Sequence, residues 1–219
     1  GRGTTVADAS GNGISGELVG EVCWPEGRVD EGLHFDGLDG YVDLGNPEAL
    51  RIEGSLTISA WIKPLQFPWD DATIVSKRNG VEWGYQLDVT RDSGERTIGF
   101  KLTTASGESM FRYGSTPIEA DRWYHVTGVY DASARELHVY LDGERDDGEI
   151  VGRVDSEQLN SEKHVTIGQR TGTSEYAFNG YIDDVRLYDR ALSEPEVRAD
   201  VEVPVMPERS SPREVSEVW

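Results

Sequence analysis

Short apolar runs of alternating polarity recur along almost the whole chain, and Gly, Asp and Asn residues separate them. Successive side chains of a β-strand point to opposite faces of a sheet, so such runs predict strands with one buried face. Many short strands at this spacing are typical of an all-β sandwich or barrel. The clearest predicted strands are Leu56–Ile62, Thr73–Ser76, Tyr85–Val89, Thr97–Leu102, Tyr124–Tyr130, Leu137–Leu141, Val165–Ile167 and Tyr181–Tyr188.

Two local signals add a turn and a helix to this pattern. The run Leu137–Leu141 leads directly into Asp142-Gly143, a pair of residues that favours a two-residue hairpin turn. Ser193 and Glu196 have the spacing of a capping box, and Pro195 is tolerated in a first helical turn. One short helix is therefore predicted at residues 193–199, with an acidic tail containing Pro and Ser at residues 200–219.

The charge of the chain excludes some partners. It carries 41 acidic and 21 basic residues, for a formal net charge of −20, so nucleic acid and anionic lipid would be repelled. No run of about 18 apolar residues occurs, so membrane insertion is not expected. The acidic, Lys-poor composition fits a protein adapted to high salt, a protein that collects cations, or solubility alone.

Five motifs of the chain occur in a fixed order. They are Gly3–Gly13, then Gly27-Arg28 with Leu33–Gly37 and Tyr41-Val42, then Leu56–Pro64, then Trp123–Val126, and finally Phe178–Ser193. Together they span about residues 3–199 and resemble the laminin-G-like jelly-roll domains of the concanavalin A-like class. The resemblance implies two packed antiparallel sheets in a jelly-roll sandwich, which agrees with the predicted strands.

The resemblance also implies a strand that the chain lacks. Domains of this class usually begin with an aromatic and apolar strand before the first motif, and this chain starts two residues before that motif. The domain at residues 1–199 is therefore expected to have an unfilled sheet edge, which promotes association. The segment Val201–Val205 alternates as an edge strand would, so the tail is interpreted either as an edge strand, in its own chain or a neighbouring copy, or as a linker.

The N-terminal motif predicts a calcium site. Asp8, Ser10 and Asn12 alternate before Gly13, which reproduces the first half of a calcium-binding loop with converging oxygen ligands. Val19 stands where an EF-hand would supply its Glu, so further ligands must come from elsewhere. The alternative is that Asp8 and Asn12 form turns through their own side chains.

The resemblance indicates where those further ligands lie. Domains of this class often hold a structural calcium between the N-terminal loop and the Ile-Asp-Asp motif of the last strand. Asp183 is therefore the first candidate, Asp184 the second and Asp36 a weaker one. Adjacent residues of a strand face opposite ways, so only one of Asp183 and Asp184 can point at such an ion.

The chain lacks the catalytic motifs that the resemblance would imply for an enzyme. It has neither the Glu-x-Asp-x-x-Glu strand of laminarinase-like members nor the Gln-x-His strand of the alginate-lyase type. A Gly-x-Ser-x-Gly motif is also absent. The single Cys23, beside Trp24, is expected to be a small buried side chain rather than a nucleophile. A noncatalytic function is expected.

Tryptophans in loops predict a ligand-binding surface. A glycan site needs an aromatic platform for the apolar face of a sugar, with polar groups for its hydroxyls. Trp69 lies in a predicted loop with Asp70 and Asp71, and Trp83 lies at the edge of another loop, so these four residues are predicted to bind ligand. The alternative is that both Trp side chains pack over the end of the sandwich. The tryptophans expected to be structural are Trp24, Trp61 and Trp123.

Two classes of function stay open at this point. The first is a noncatalytic, calcium-stabilised module that binds carbohydrate or mediates adhesion within a larger extracellular or surface protein. The second is a structural or assembly domain of a cell-surface, appendage or viral particle protein. A glycan-degrading enzyme is less favoured. The expected partner is a glycan or a surface protein, the expected location is extracellular, cell-surface or on a virion, and residues 200–219 are a candidate contact for a homo-oligomer.

Overall fold

The computed structural model describes residues 3–28, 31–79 and 83–202. These residues form sixteen strands, one 3₁₀ turn at Glu48–Leu50 and one α-helix. In chain order the elements are β1 (Thr5–Val6), β2 (Gly16–Val19), β3 (Val22–Cys23), β4 (Leu33–Asp36), β5 (Tyr41–Asp43), β6 (Leu56–Gln66), β7 (Ala72–Ser76), β8 (Tyr85–Thr90), β9 (Thr97–Thr103), β10 (Ser109–Gly114), β11 (Tyr124–Asp131), β12 (Glu136–Leu141), β13 (Glu144–Arg145), β14 (Asp147–Val151), β15 (Thr166–Ile167), β16 (Asn179–Tyr188) and α1 (Glu194–Glu202).

The strands form two antiparallel sheets with a shared core. The nine-stranded sheet has the order β1-β2-β5-β15-β7-β8-β9-β10-β14, and the seven-stranded sheet has the order β13-β12-β11-β6-β16-β4-β3. The chain crosses repeatedly between the two sheets, as it does in a jelly roll. The predicted all-β, two-sheet sandwich is therefore confirmed.

Alternating side chains fill the space between the sheets. Along β8, Tyr85, Leu87 and Val89 are buried in the apolar core, and the intervening side chains face away from it. The two sheets approach closely where Gly128 of β11 meets Phe100 of β9. A Cβ atom at residue 128 would lie 2.3 Å from the Phe100 ring, so only glycine fits there.

All eight predicted strands are present, most of them one to a few residues longer than predicted. The Asp142-Gly143 turn is also confirmed, because both residues have positive φ angles, 52° and 82°, and the strands on either side pair with each other. Two of the strands that the sequence analysis did not identify are β10 and β14, in which the alternation of apolar residues is interrupted by charged or Gly residues.

The helix begins as predicted but ends later. The backbone N–H of Ser193 donates to the Glu196 carboxylate at 2.8 Å, which is one half of the predicted capping box. Helix α1 then continues to Glu202 rather than ending at residue 199. The edge-strand interpretation of the tail is therefore wrong for Val201 and Glu202, and the remaining residues of Val201–Val205 lie outside the described part of the chain.

Asp200 explains why the helix is longer than predicted. Its carboxylate is buried against the outer face of the seven-stranded sheet, where it accepts hydrogen bonds from Ser59 at 2.5 Å and from Tyr188 at 2.6 Å. The Arg186 guanidinium pairs with the same carboxylate. A tertiary contact of this kind holds in place a last helical turn that the local sequence does not favour.

His125 lies beside this contact and is expected to make the fold sensitive to acid. Burial lowers the pKa of His125 to about 4, Asp200 opposes that shift, and Arg186 adds to it. The unfolded chain takes up this proton near pH 6.5 and the folded chain does not, so stability is lost as the pH falls from about 6.5 to about 4. We expect a loss of about 3 kcal/mol across that window.

Urea unfolding of the wild type and of His125→Phe across this pH range tests the assignment. Phenylalanine keeps the ring that contacts Trp61, which is 5.3 Å away between centroids, and removes the titrating group. As the pH falls, the free energy of unfolding should decrease more for the wild type than for His125→Phe. A difference that does not depend on pH would contradict a neutral, buried His125.

Two expectations of burial are corrected by the structure. Cys23 is exposed, because β3 is the outermost strand of the seven-stranded sheet and its position faces outward. Trp123 is only partly buried, since it precedes β11 on the outer face of the same sheet. Trp61 is 7% exposed and Trp24 packs against the core, as expected. None of the described residues forms a helix long and apolar enough to cross a membrane.

Candidate functional site

Trp69 is the most exposed large apolar side chain of the described residues. It lies between β6 and β7, and 83% of its surface is accessible to solvent. Burial of an aromatic side chain contributes strongly to protein stability, so an indole left in water at this position is not explained by packing. The alternative that Trp69 covers the end of the sandwich is therefore excluded.

The backbone of the Trp69 loop is held by one arginine. The Arg96 guanidinium donates to the carbonyl oxygens of Asp70 at 2.8 Å, of Trp69 at 3.3 Å and of Pro68. It also lies 4.9 Å from the centroid of the Phe67 ring. The loop therefore presents its indole on a fixed backbone, which reduces the entropy lost when a ligand binds.

Polar groups surround the exposed indole. The Arg91 guanidinium lies 5.0 Å from the centroid of the Trp69 ring, and the carboxylates of Asp70 and Asp92 lie within 4.8 Å of each other. Burial, together with the charges of Asp71 and Asp92, raises the pKa of Asp70. Trp69, Asp70, Arg91 and Asp92 form what we call the Trp69 cluster.

Asp71 lies in a different environment from the one predicted. Its carboxylate is buried and is bonded to the Lys101 ammonium at 2.8 Å and to Arg170. Burial alone would raise the pKa of Asp71, but the ion pairs with Lys101 and Arg170 lower it. Asp71 therefore anchors the end of the Trp69 loop to the sheet and does not present its oxygens to a ligand.

Lys101 is the centre of a buried charge network. Its ammonium lies 2.8 Å from Asp92 and 3.2 Å from Asp88, in addition to Asp71. Burial and the neighbouring Asp71 raise the pKa of Asp88 to about 7. In the described part of the chain, one group of at least three His, Cys, Asp or Glu residues has its ligand atoms within 4.8 Å of one another, and it consists of Asp70, Asp71 and Asp92. The Lys101 ammonium already supplies a cation to this group.

Trp83 lies at the opposite end of the same sheet. Trp69 is next to the end of β8 and Trp83 precedes its start, so the length of β8 separates the two indoles by roughly 17 Å. The Trp83 ring stacks on Phe111 with centroids 5.8 Å apart, and the Arg78 guanidinium lies 3.7 Å from its centroid. The two predicted platforms are therefore separate, and Trp83 is partly covered by its neighbours.

A groove lies beside Trp83. Its volume is about 570 Å³, and it is also lined by Thr103, Ser109, Leu159, Ser161 and Glu162. This volume is within the range of small-molecule sites in proteins. Hydroxyl groups and one carboxylate next to an indole edge are compatible with the binding of a polar ligand.

The residues of the predicted N-terminal calcium loop make hydrogen bonds within the loop. Asp8 accepts hydrogen bonds from the Ser10 backbone and hydroxyl and from the backbone of Ile14, so the turn alternative is confirmed for it. The Asn12 backbone donates to the Ser10 hydroxyl, and the loop lies beside the nine-stranded sheet.

The other predicted ligands belong to the seven-stranded sheet. Asp183 accepts from the backbone N–H of Arg28, Asp184 pairs with Arg186 at 3.2 Å, and Asp36 accepts from the backbone of Leu38. Within the described residues, Asp8, Asp36, Asp183 and Asp184 are not part of a group of three acidic side chains within 4.8 Å. A calcium site that joins some of them stays a prediction.

The residues that sequence analysis missed at the Trp69 cluster come from distant parts of the chain. Arg91, Asp92 and Arg96 lie in the hairpin between β8 and β9, where Thr90 pairs with Thr97. Their proximity to Trp69 depends on the pairing of β7 with β8, in which Ala72 faces Val89. No local motif marks this proximity.

Known proteins share this architecture. The chain is 31% identical over 176 residues to adhesion G-protein coupled receptor V1 of Danio rerio; the match covers 76% of this chain and 3% of the receptor. Domain 4 of an extracellular arabinanase from Geobacillus stearothermophilus, solved in complex with arabinotriose, superposes with a TM-score of 0.65 at 18% identity and covers 90% of this chain and 98% of that one.

A third similarity is to a structure of botulinum neurotoxin type C, a toxin whose cell entry depends on interaction with two ganglioside molecules. The TM-score is 0.64 at 14% identity, over 91% of this chain and 51% of that one. At such identities the two structural similarities concern the fold alone. A family model for the concanavalin A-like lectin/glucanases superfamily, of the laminin G type, matches residues 35–198. The chain therefore belongs to the concanavalin A-like lectin/glucanases superfamily, as a laminin-G-like domain.

Proposed function

We propose that this domain is a noncatalytic carbohydrate-binding or adhesive module of an extracellular or cell-surface protein, and that it binds its glycan at the Trp69 cluster. The observation that carries the proposal is the 83% exposed indole of Trp69 on a backbone held by Arg96. The similar structures include one solved with arabinotriose and one of a toxin that interacts with gangliosides, and the curated relative is an adhesion receptor.

The chemistry of the cluster suits a sugar. The indole offers an apolar plane to the axial C–H groups of a pyranose, while Arg91 can donate to hydroxyls and Asp70 and Asp92 can accept from them. A few fixed polar groups around an apolar platform are the usual composition of a small-ligand site. Trp69 contributes affinity in this arrangement, and the polar groups contribute orientation.

Two acidic residues next to the cluster, Asp71 and Asp88, are unavailable for catalysis, and the noncatalytic part of the proposal otherwise rests on the catalytic motifs that the sequence lacks. A glycosidase needs two carboxyl groups that reach the scissile bond. The side chains of Asp71 and Asp88 are only 6% and 0% exposed, and both are engaged by Lys101. Neither can approach a substrate without breaking the charge network.

Trp69→Ala is expected to abolish glycan binding without unfolding the domain. A glycan array identifies the sugar, and calorimetry with that sugar then compares the variant with wild type. Leu38→Ala is a matched control, because Leu38 is also a large exposed apolar side chain (66%) and lies in a different loop, between β4 and β5. Equal binding by Trp69→Ala and wild type would overturn the assignment of the site.

A surface protein is the second candidate partner, because the curated relative is an adhesion receptor. This chain spans about 3% of that receptor's length, so the partners of the whole receptor do not transfer directly. Association of this domain through residues 200–219 and stabilisation by calcium stay predictions.

A further inference from the structure

A row of five side chains crosses the outer face of the seven-stranded sheet. Cys23 pairs with His34, His34 with Tyr181, and Tyr181 with Lys63, each on a neighbouring strand. Trp123 completes the row, because it directly precedes Tyr124, which pairs with Ile62. We call these residues the Tyr181 row.

The row faces solvent rather than the core. The residues next to it along the strands, such as Leu33, Ile62 and Ile182, belong to the buried core. Side chains alternate across a sheet, so the row points the opposite way. Cys23 is exposed, and the other four side chains are partly exposed.

The aromatic rings of the row form a continuous surface. Trp123 and Tyr181 have ring centroids 6.0 Å apart at an interplanar angle of 51°. His34 meets the other side of Tyr181 edge-on, with centroids 4.9 Å apart. Three adjoining rings on a rigid sheet make a preorganised platform that costs little entropy on binding.

Lys63 adds a positive charge to this platform. Its ammonium lies 5.8 Å from the centroid of the Tyr181 ring and makes no ion pair with any carboxylate of the described residues. By contrast, Lys101 is buried among three carboxylates.

The nearest acidic residues of this face are engaged elsewhere. Asp183 lies two residues from Tyr181 and accepts from the Arg28 backbone, and Asp36 lies two residues from His34 and accepts from the Leu38 backbone. Their carboxylates are therefore held by backbone donors, whereas Lys63 supplies the charge for an anionic group.

We propose that the Tyr181 row is a second binding site, and that it takes a saccharide carrying a carboxylate, such as a uronic acid. The pyranose ring stacks on Trp123 and Tyr181, and its carboxylate pairs with Lys63. The site lies on the outer face of the seven-stranded sheet, whereas Arg91 and Asp92 of the Trp69 cluster lie in the β8–β9 hairpin of the nine-stranded sheet. It uses none of the residues of that cluster, so it does not rest on the proposed function. Simultaneous use of both sites would give the domain two-point attachment to a glycan surface.

Methyl glucuronide and methyl glucoside test the proposal, because they differ only in the carboxylate. NMR titration of the full chain follows the indole N–H resonances of its six Trp residues, with Trp123→Phe assigning that of Trp123. We expect the Trp123 resonance to shift with the glucuronide. Lys63→Met should weaken binding about fivefold, which is the contribution of an exposed ion pair, and Lys63→Arg should retain it.

Two further variants separate this site from the Trp69 cluster. Trp123→Ala should abolish the glucuronide response, and Trp69→Ala should leave it unchanged. The proposal is overturned if the glucoside binds as well as the glucuronide, if neither sugar shifts the Trp123 resonance, or if only Trp69→Ala removes binding. Binding of a protein partner at the row without any response to the glucuronide would also overturn it.

Discussion

Replacement of Lys101 with methionine is expected to lower the free energy of unfolding by about 3–5 kcal/mol. The variant keeps a side chain of similar length but removes the charge that Asp71, Asp88 and Asp92 share. Arg170 still pairs with Asp71, so the cost falls mainly on the fully buried Asp88. Loss of one partner from a buried ion pair leaves the other group unpaired in a poor solvent. Asp88, whose pKa is about 7 even beside Lys101, then takes up a proton at neutral pH, which keeps the loss near the lower end of this range.

Urea denaturation followed by circular dichroism at neutral pH measures this effect. Lys63→Met is the matched control: it makes the same chemical change at a partly exposed position that has no ion pair with any of the residues the structure describes, and it should alter stability by less than about 0.5 kcal/mol. A loss below about 1 kcal/mol for Lys101→Met would contradict the buried network.

Lys101→Met should also weaken glycan binding, because Lys101 holds the Asp71 carboxylate and Asp71 anchors the end of the Trp69 loop.

The same network shows what local sequence can predict about the candidate site. Trp69 was predicted correctly as an exposed loop residue, because Pro68 and two Asp residues mark the loop and no alternating run includes the indole. Asp71 was assigned to the same surface as Asp70, yet it is buried. Its burial depends on Lys101 and Arg170, which are 30 and 99 residues away in the sequence. No pattern within a short segment carries that information.

The fold was more predictable than the site for a physical reason. Strand alternation and turn residues act locally, so Leu137–Leu141 and Asp142-Gly143 were identified directly. The calcium prediction combined Asp8 with Asp183, a combination that depends on how the two sheets pack. The structure places the Asp8 loop beside the nine-stranded sheet and Asp183 in the seven-stranded one. The end of helix α1 was missed, because Asp200 is held by strand residues far away in the chain.

Replacement of Asp200 with alanine is expected to detach helix α1 and to cost about 3–5 kcal/mol of stability. The change removes the hydrogen-bond acceptor of Ser59 and Tyr188 and the closest carboxylate of the buried Arg186. The apolar contacts of Val197 and Leu192 with Tyr188 remain, but they are few. Because α1 is a single nine-residue element, it should open before the sheets do.

Hydrogen exchange of the α1 amides, together with urea unfolding, distinguishes opening of the helix from loss of the whole fold. Arg198→Ala is the control on the same helix, since its side chain is 56% exposed and pairs only with the exposed Glu144. We expect fast exchange in Asp200→Ala and unchanged exchange in Arg198→Ala. Protected α1 amides in Asp200→Ala would contradict a docking function for the carboxylate. Faster exchange would instead support the conclusion that the buried Asp200 carboxylate holds the last turn of α1 against the sheet.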